Sequence, residues 1–327
     1  MAILVTGGAG YIGSVCVEVL VDAGHDVVVV DNLQSGHRGA VAEGGTFYEG
    51  DFGSIELLHT VFSRHDIDAV LHFAASTIIE ESITFPSLYY NNNIVKGIAL
   101  LDTMMNCGCR RIIFSSSAAI FGDPQYVPVD EAHPVNPANP YAQTKACFEA
   151  ILESYHQAYG IQYNSFRYFN AAGATSTHGD AHRKITLLIP VIMEVLLAHR
   201  DKLIVYGDDY DTEDGTCIRD YIHVLDLVQA HVKGLDRLDD NPNRVYNLGN
   251  EQGHSNREVI RAVERVTGLA VPYDIGPRRK GDMPIVIASS ERAKSELEWQ
   301  PRYAELDEII QSAWEWHRRH PDGYRKS

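Results

Sequence analysis

The chain has 327 residues, 45% of them hydrophobic, enough for a large core and for two lobes rather than one. Its 44 acidic residues against 28 basic leave a formal net charge of −16, which argues against sequence-independent binding to nucleic acid. A phosphate-bearing ligand stays compatible with that balance, because a few arginines and backbone amides suffice to hold one. No apolar run reaches membrane-spanning length: the best, from Ile185 to Ala198, contains Pro190 and Glu194.

The opening MAILVTGGAG reads as a buried strand, Ile3–Val5, running into a glycine loop. It lacks a basic n-region, a long apolar stretch and a cleavage site, so no signal peptide is expected. Helical patterns follow at Tyr11–Ala23, Ser54–Arg64, Pro86–Cys107 and Pro140–Tyr159. Between them lie strand-like runs at Val27–Val30, Ala69–Phe73 and Ile112–Phe114, with another at Gln162–Tyr168. The four apolar runs from Ile3–Val5 to Ile112–Phe114 are short, β-branched and unalternating, as strands covered on both faces should be. The alternation predicts an α/β fold built on a Rossmann-type doubly wound parallel sheet.

Beyond about residue 170 the pattern loosens. Ala171–Lys184 is a loop rich in Gly, Ser, Thr and His, followed by a helix at Ile185–Arg200, a strand at Leu203–Tyr206 and the acidic turn GDDYDTEDG. Val245–Gly249 reads as a strand. Ser255 and Glu258 form a capping box that opens a helix running to Val266. These features predict a dinucleotide-binding domain over 1–170 and a smaller, discontinuous α+β substrate lobe over 171–327. Residues at about 220–250 are expected to rejoin the first sheet. A ligand is expected at the carboxyl ends of the parallel strands. The five cysteines, Cys16, Cys107, Cys109, Cys147 and Cys217, are scattered and odd in number, matching no zinc knuckle or CxxC pair. No metal site is predicted, and the chain reads as a cytoplasmic enzyme with reduced thiols.

TGGAGYIG (6–13) places Gly7, Gly10 and Gly13 between the first strand and the first helix, and Asp31 ends the second strand. Glycines there let backbone approach a pyrophosphate, whose charge sits on the helix N-terminus. Asp31 is placed to accept from ribose hydroxyls and to repel a 2′-phosphate, so NAD is favoured over NADP. The Gly-x-x-Gly-x-x-Gly spacing points to the short-chain dehydrogenase/reductase class.

YAQTK (141–145) sets Tyr141 and Lys145 one helical turn apart on one face. A free tyrosine has a pKa of about 10, and lowering it by ~3 units takes roughly 4 kcal/mol of preference for the phenolate. A fixed lysine supplies part of that. By itself so short a pattern more often marks an amphipathic helix whose Tyr packs and whose Lys points to solvent.

The motifs TGGAGYIG, DNL (31–33), GD (50–51), HFAA (72–75), YYNNN (89–93), SSSA (115–118), YAQTK, RYFN (167–170), GTCIRDYIHV (215–224) and PRRKGD (277–282) occur together in one order. In that order and spacing the chain resembles the extended short-chain dehydrogenases and, within them, the UDP-glucose 4-epimerase family. The resemblance runs to the C-terminal WEWHRRHPDGY. It implies an isomerase of carbohydrate metabolism that interconverts UDP-galactose and UDP-glucose. In such enzymes sugar C4 is oxidised by tightly held NAD, and the 4-keto intermediate turns over and is reduced from its other face.

It further implies Tyr141 as the base, Lys145 as the group that lowers its pKa and holds the nicotinamide ribose, and Ser117 as the hydroxyl on the 4-oxygen. Ser116 remains an alternative, since strand alternation sends one of two neighbours into the site. By position, Tyr11, Ile12, Asn32, Asp51, Phe52, Phe73, Ala74, Ala75, Asn92, Ser115 and Tyr168 join the glycines and Asp31 on the NAD side. Asn170, Leu188, Ile204, Tyr206, Arg219, Tyr221, Arg279 and Asp282 match the uridine diphosphate side, with both arginines expected on the diphosphate. Val286 matches the position facing the sugar C2 substituent. A tyrosine closes that space in the family, so weaker turnover of UDP-N-acetylglucosamine is expected here. A homodimer built on the helices at Pro86–Cys107 and Pro140–Tyr159 is implied as well.

Three departures bear on the sugar pocket: Ala119 where the family often has Thr or Ser, Leu187 where it often has Asn or His, and the bulkier Ile78-Ile79-Glu80. Rival readings are weaker. A dehydratase needs an Asp-Glu pair where this chain has Ala118-Ala119. A glucuronate epimerase or decarboxylase would want an added basic group, and a non-catalytic regulator is expected to have lost Ser117, Tyr141 or Lys145.

Overall fold

The computed structural model describes residues 1–279 and 281–324; Lys280 of the PRRKGD stretch and residues 325–327 lie outside the described residues. The first part of the chain alternates as expected: β1 (Ala2–Thr6), α1 (Tyr11–Asp22), β2 (Asp26–Asp31), β3 (Thr46–Glu49), α2 (Ile55–Arg64) and β4 (Ile67–His72). Next come α3 (Ile79–Thr84), α4 (Pro86–Tyr90), α5 (Lys96–Asn106), β5 (Arg111–Ser117), α6 (Pro140–Tyr159) and β6 (Gln162–Tyr168). Then follow β7 (Asn170–Ala172), α7 (Leu188–Leu196), β8 (Leu203–Tyr206), β9 (Ile218–His223), α8 (Val224–Asp236), β10 (Arg244–Leu248), β11 (Gly253–Ser255), α9 (Asn256–Thr267), β12 (Tyr273–Gly276), β13 (Ile285–Val286), α10 (Glu291–Leu297) and α11 (Leu306–Arg319).

Seven strands form one sheet in the order β10-β6-β5-β4-β1-β2-β3. The pairs β1–β2, β1–β4, β2–β3 and β4–β5 are parallel, with Leu4 beside Val28 on one side and Val70 on the other. The order reverses at β1. The expected doubly wound sheet is present, and in such sheets the switch point is where ligands bind, outside the carboxyl ends of the strands.

By contacts the chain divides into two compact units, the first comprising 1–122, 134–167 and 228–246, the second 123–133, 168–227 and 247–327. The first is filled by fully buried Leu4, Val28, Val70, Leu100, Ile112, Phe148 and Leu152. Removing such side chains from water contributes roughly 1.5–3 kcal/mol each. The 20-residue α6 starts where Asn139 Oδ1 accepts the Ala142 N–H at 2.9 Å and Pro140 presets the first turn. It stops at Gly160, whose φ of 71° suits a residue without Cβ.

The helix expected over Pro86–Cys107 is instead two helices joined by a π-helical turn at Asn91–Val95. In that turn the buried Asn93 side chain accepts from the Ser76 N–H at 2.8 Å and donates to Thr144 Oγ1 at 3.0 Å. Wide turns of this kind recur at functional sites. The edge strand β3 and the short α3, which lack a clear periodic signal, were not expected.

In the second unit β9 carries β11 and β13 on its two sides and also pairs with β7, while β8 pairs with β12. Its core joins Ile189, Ile192, Val205, Val259, Val263, Ile309 and Ile310 from α7, β8, α9 and α11. The Ser255–Glu258 capping box forms as predicted. The helix expected at Ile185–Arg200 is shorter, because Leu187 supplies no polar cap and Ala198 adopts a φ of 59°.

Candidate active site

The turn between β1 and α1 shows which glycines serve the fold. A Cβ on Gly7, whose φ is 76°, would lie 2.5 Å from the Ala74 nitrogen, and one on Gly13 would lie 2.2 Å from the Gly7 carbonyl oxygen. Both positions are closed by packing. A Cβ on Gly10 would meet only the Gly7 oxygen, at 3.3 Å, and the φ of −83° is open to any residue. Gly10 is also the N-cap of α1 and brings no side chain to cap its first turn. The open face and the uncapped N–H groups suit an anionic group at the positive end of the helix.

Asp31, buried at the end of β2, accepts from the Ala9 N–H at 3.0 Å and the Leu33 N–H at 2.8 Å. Burial raises its pKa and these two donors oppose the rise. A carboxylate has about four acceptor sites, so capacity remains for two hydroxyls. The donor set therefore fits a dinucleotide with a free ribose diol.

The other positions predicted for the cofactor are distributed around this turn. Tyr11 and Ile12 open α1, and Asn32 Oδ1 accepts from the Gln34 N–H. Asp51 accepts from the Gly53 N–H at 2.9 Å and from Lys96 Nζ at 2.5 Å, while Phe52 is buried in the core. Phe73 and Ala74 follow β4, both donating N–H groups to the Thr6 carbonyl, with half-buried Ala75 next. Asn92 Nδ2 reaches Ser76 Oγ at 3.2 Å. Tyr168 ends β6 and falls in the second unit.

At the carboxyl end of β5 three consecutive residues each engage a residue of α6. The Ser115 carbonyl accepts from Lys145 Nζ at 2.6 Å. Ser116 is buried and its hydroxyl donates to Glu149 Oε1 at 2.5 Å. Ser117 is half-buried, accepts the Ala119 N–H at 3.2 Å, and stands close enough to Tyr141 to pull the phenol's pKa down by hydrogen bonding. Of the two serines left open by the sequence, Ser117 is thus the one beside Tyr141.

Electrostatics differ in one respect from the sequence expectation. The Tyr141 phenol is raised by burial, and the group opposing the rise is Ser117 rather than Lys145. Burial drives the Lys145 ammonium down to about 7, with Glu149 opposing. His72, at the end of β4, is pushed down to about 3 by burial and by Lys145, and its Nδ1 is 2.7 Å from Thr6 Oγ1. Strongly shifted groups gathered in one place mark a functional site. His72, Asn93, Glu149 and Arg167 were not singled out from the sequence. The available signal for Glu149 was its register, two i+4 steps beyond Tyr141.

In the second unit the residues predicted for the uridine diphosphate lie along β9, along β8 and at the start of α7. Arg219 on β9 lies in register with Val286 on β13 and has Nη2 3.6 Å from Asp282 Oδ1. Tyr221 and Asn170 face each other in the β7–β9 pair, and Asn170 Nδ2 donates to the Asp220 carbonyl at 3.0 Å. The exposed Arg279 places its guanidinium 4.0 Å over the Tyr206 ring, and Ile204 lies two residues back on β8. Leu188 starts α7 and packs on the unit's core. Of the departures, Ile79 and Glu80 are exposed at the start of α3, and Ala119 contributes its N–H to Ser117. Among the described residues no group of three or more His, Cys, Asp or Glu is arranged to hold a metal ion, and no helix is long and apolar enough to cross a membrane.

A glycine turn at the sheet's switch point, with a Tyr–Lys helix facing the end of β5, defines the extended short-chain dehydrogenase/reductase class. A profile of the NAD dependent epimerase/dehydratase family matches residues 3–249, and the chain belongs to that family. It is 47% identical over 327 residues to a UDP-glucose 4-epimerase of Halalkalibacterium halodurans, covering 99% of this chain and 98% of that one. It is 46% identical to a UDP-glucose 4-epimerase of Lacticaseibacillus casei, covering 99% of each. Among solved structures, the Bifidobacterium longum UDP-glucose 4-epimerase in complex with NAD+ and UDP superposes with a TM-score of 0.94 at 37% identity, covering 99% of this chain and 100% of that one. The UDP-Glc/GlcNAc 4-epimerase of Campylobacter jejuni gives a TM-score of 0.85 at 40% identity, covering 97% and 99%.

Proposed function

We propose that this chain interconverts UDP-galactose and UDP-glucose. NAD, held by the glycine turn, Asp31 and the residues around them, supplies the hydride acceptor and donor at sugar C4. Tyr141 Oη takes the proton of the sugar 4-hydroxyl and returns it when the 4-keto sugar has turned its other face. Ser117 hydrogen-bonds the 4-oxygen and relays that proton. Lys145 holds a positive charge near the phenol and donates to ribose hydroxyls, which favours the phenolate. On the second unit Arg219 and Arg279 bind the diphosphate, with Asn170, Leu188, Ile204, Tyr206, Tyr221 and Asp282 around the uridine.

The observation that carries this reading is the Ser117–Tyr141 juxtaposition next to a buried, hydrogen-bonded Lys145. The similarity to UDP-glucose 4-epimerases over nearly the full chain supports it. We also propose a homodimer, supported by an exposed apolar row from α3 to the π-helical turn. Five free thiols support a reducing, cytoplasmic setting.

The test is to mix purified protein with UDP-galactose or UDP-glucose without added cofactor and follow the products by NMR. Interconversion to a common ratio is expected, and acid-denatured protein should release NAD or NADH. A requirement for stoichiometric NAD consumption would replace this reading with a net dehydrogenase.

A further inference from the structure

Residues Tyr141, Lys145 and Glu149 stand at successive i+4 positions of α6, forming one stripe along its face. The last of them has no part in the chemistry described so far. Its carboxylate is nearly buried and accepts from three donors: Ser116 Oγ to Oε1 at 2.5 Å, Arg167 Nε to Oε1 at 3.1 Å and Arg167 Nη2 to Oε2 at 2.7 Å. The two side chains of the ion pair are 11% and 6% exposed. Arg167 is held in turn by the Phe121 ring, 5.2 Å from its guanidinium carbon, and its Nη1 is buried without a partner among the described residues. So elaborate a clamp fixes the carboxylate one turn from Lys145.

We propose that Glu149 is a positioning residue for the epimerisation, its clamped carboxylate holding the Lys145 ammonium charged and aimed at the nicotinamide ribose. This rests on the function proposed above. Burial works against the ammonium, and among the described residues the Glu149 charge opposes it. Other titratable groups facing the lysine do not take that role. His72 on β4 stays neutral, Tyr141 is a raised phenol, and the charge of Arg167 on β6 is matched by Glu149 itself. Deleting the carboxylate charge therefore lowers Lys145 further, and the ammonium is lost at a lower pH. An opposite charge one helical turn away favours the charged form of a lysine.

The experiment compares holoenzyme, E149Q and E149Q/R167M. E149Q strands a buried guanidinium and is expected to melt well below wild type. The double variant removes both charges and is expected to recover most of that loss. In folded E149Q the alkaline limb of kcat should move to lower pH by about one unit or more, with KM for UDP-galactose within about twofold, whereas the double variant, which loses a charge of each sign, should stay closer to wild type. A 13Cε-lysine NMR titration, with the Lys145 signal assigned by its loss in K145R, should show the same downward shift. That readout stands even if the protein turned over a different substrate. An unmoved Lys145 titration in folded E149Q, where only the carboxylate charge is lost, would leave Glu149 a purely structural anchor and overturn the proposal. A wild type that fails to epimerise while Lys145 shifts as expected would instead count against the function.

Discussion

Lys145 and Tyr141 stand one turn apart on α6, yet the ammonium is directed to the Ser115 carbonyl at 2.6 Å and lies 6.0 Å from the centroid of the phenol ring. The lysine's hydrogen bond thus goes to the strand rather than to the tyrosine, and the phenol is raised by burial with Ser117 opposing. In the reaction proposed above, its deprotonation draws on the Lys145 charge and on charges that join the site with its ligands.

Tyr141→Phe tests the assignment of the base. The ring is kept and the titratable oxygen removed, so fold and cofactor content should be unchanged. Epimerase kcat should fall ~10²–10⁴-fold, the usual cost of losing a general base. A variant within about threefold of wild type would place the base elsewhere.

The glycine turn offers a cleaner separation of fold from ligand. Gly13→Ala drives a Cβ against the Gly7 carbonyl, so stability should drop by ~1–3 kcal/mol or more, read as a melting temperature lower by several degrees. Gly10→Ala meets nothing nearer than 3.3 Å from an allowed φ, and its melting temperature after cofactor removal should stay close to wild type. The NAD recovered with purified Gly10→Ala should nevertheless fall sharply, because the added methyl occupies the open face. Equal thermal losses in the two variants would contradict this division of roles.

Much of this site is legible in the sequence because it depends on local spacing. The glycine turn follows from the strand before it and the helix after it. The Tyr–Lys pair follows from the 3.6-residue period. Other features depend on partners distant in sequence. The π-helical turn at Asn91–Val95 is tied to Ser76 and Thr144 through Asn93, and no run of asparagines announces that geometry. Ser116 and Ser117 are equivalent in propensity, and what separates them is Glu149 reaching one from α6. The two-residue β13, which sets Val286 beside Arg219, is too short for any periodic signal.

The first unit exposes apolar side chains at Ile83 (60%), Phe85 (60%) and Val95 (58%), with Leu88 and Tyr90 between them. A contiguous exposed row of this kind marks an interaction surface, and a second copy of this chain is the proposed occupant. Sedimentation should show a dimer at micromolar concentration. Phe85→Glu/Val95→Glu should shift it to monomer with the fold retained, since neither side chain is in the core. A wild-type monomer would refute the assignment.

The last prediction concerns the sugar's C2 substituent. Val286 is half-buried on β13, in register with Arg219, and so sits beside the arginine proposed for the diphosphate. Valine is far smaller than tyrosine, which leaves room for an acetamido group if that position faces the sugar. In the first unit Ile78 is half-buried before α3, and the Ile79 and Glu80 side chains are exposed. UDP-N-acetylglucosamine should therefore turn over measurably, though more slowly than UDP-glucose. Even one methylene in a tight pocket changes selectivity by roughly 10–200-fold, and a phenol ring adds far more bulk than that. Val286→Tyr should then abolish turnover of the N-acetyl sugar and leave kcat/KM for UDP-galactose near wild type. NMR of product mixtures from both proteins makes the comparison, and a wild type inert toward the N-acetyl substrate would overturn this reading.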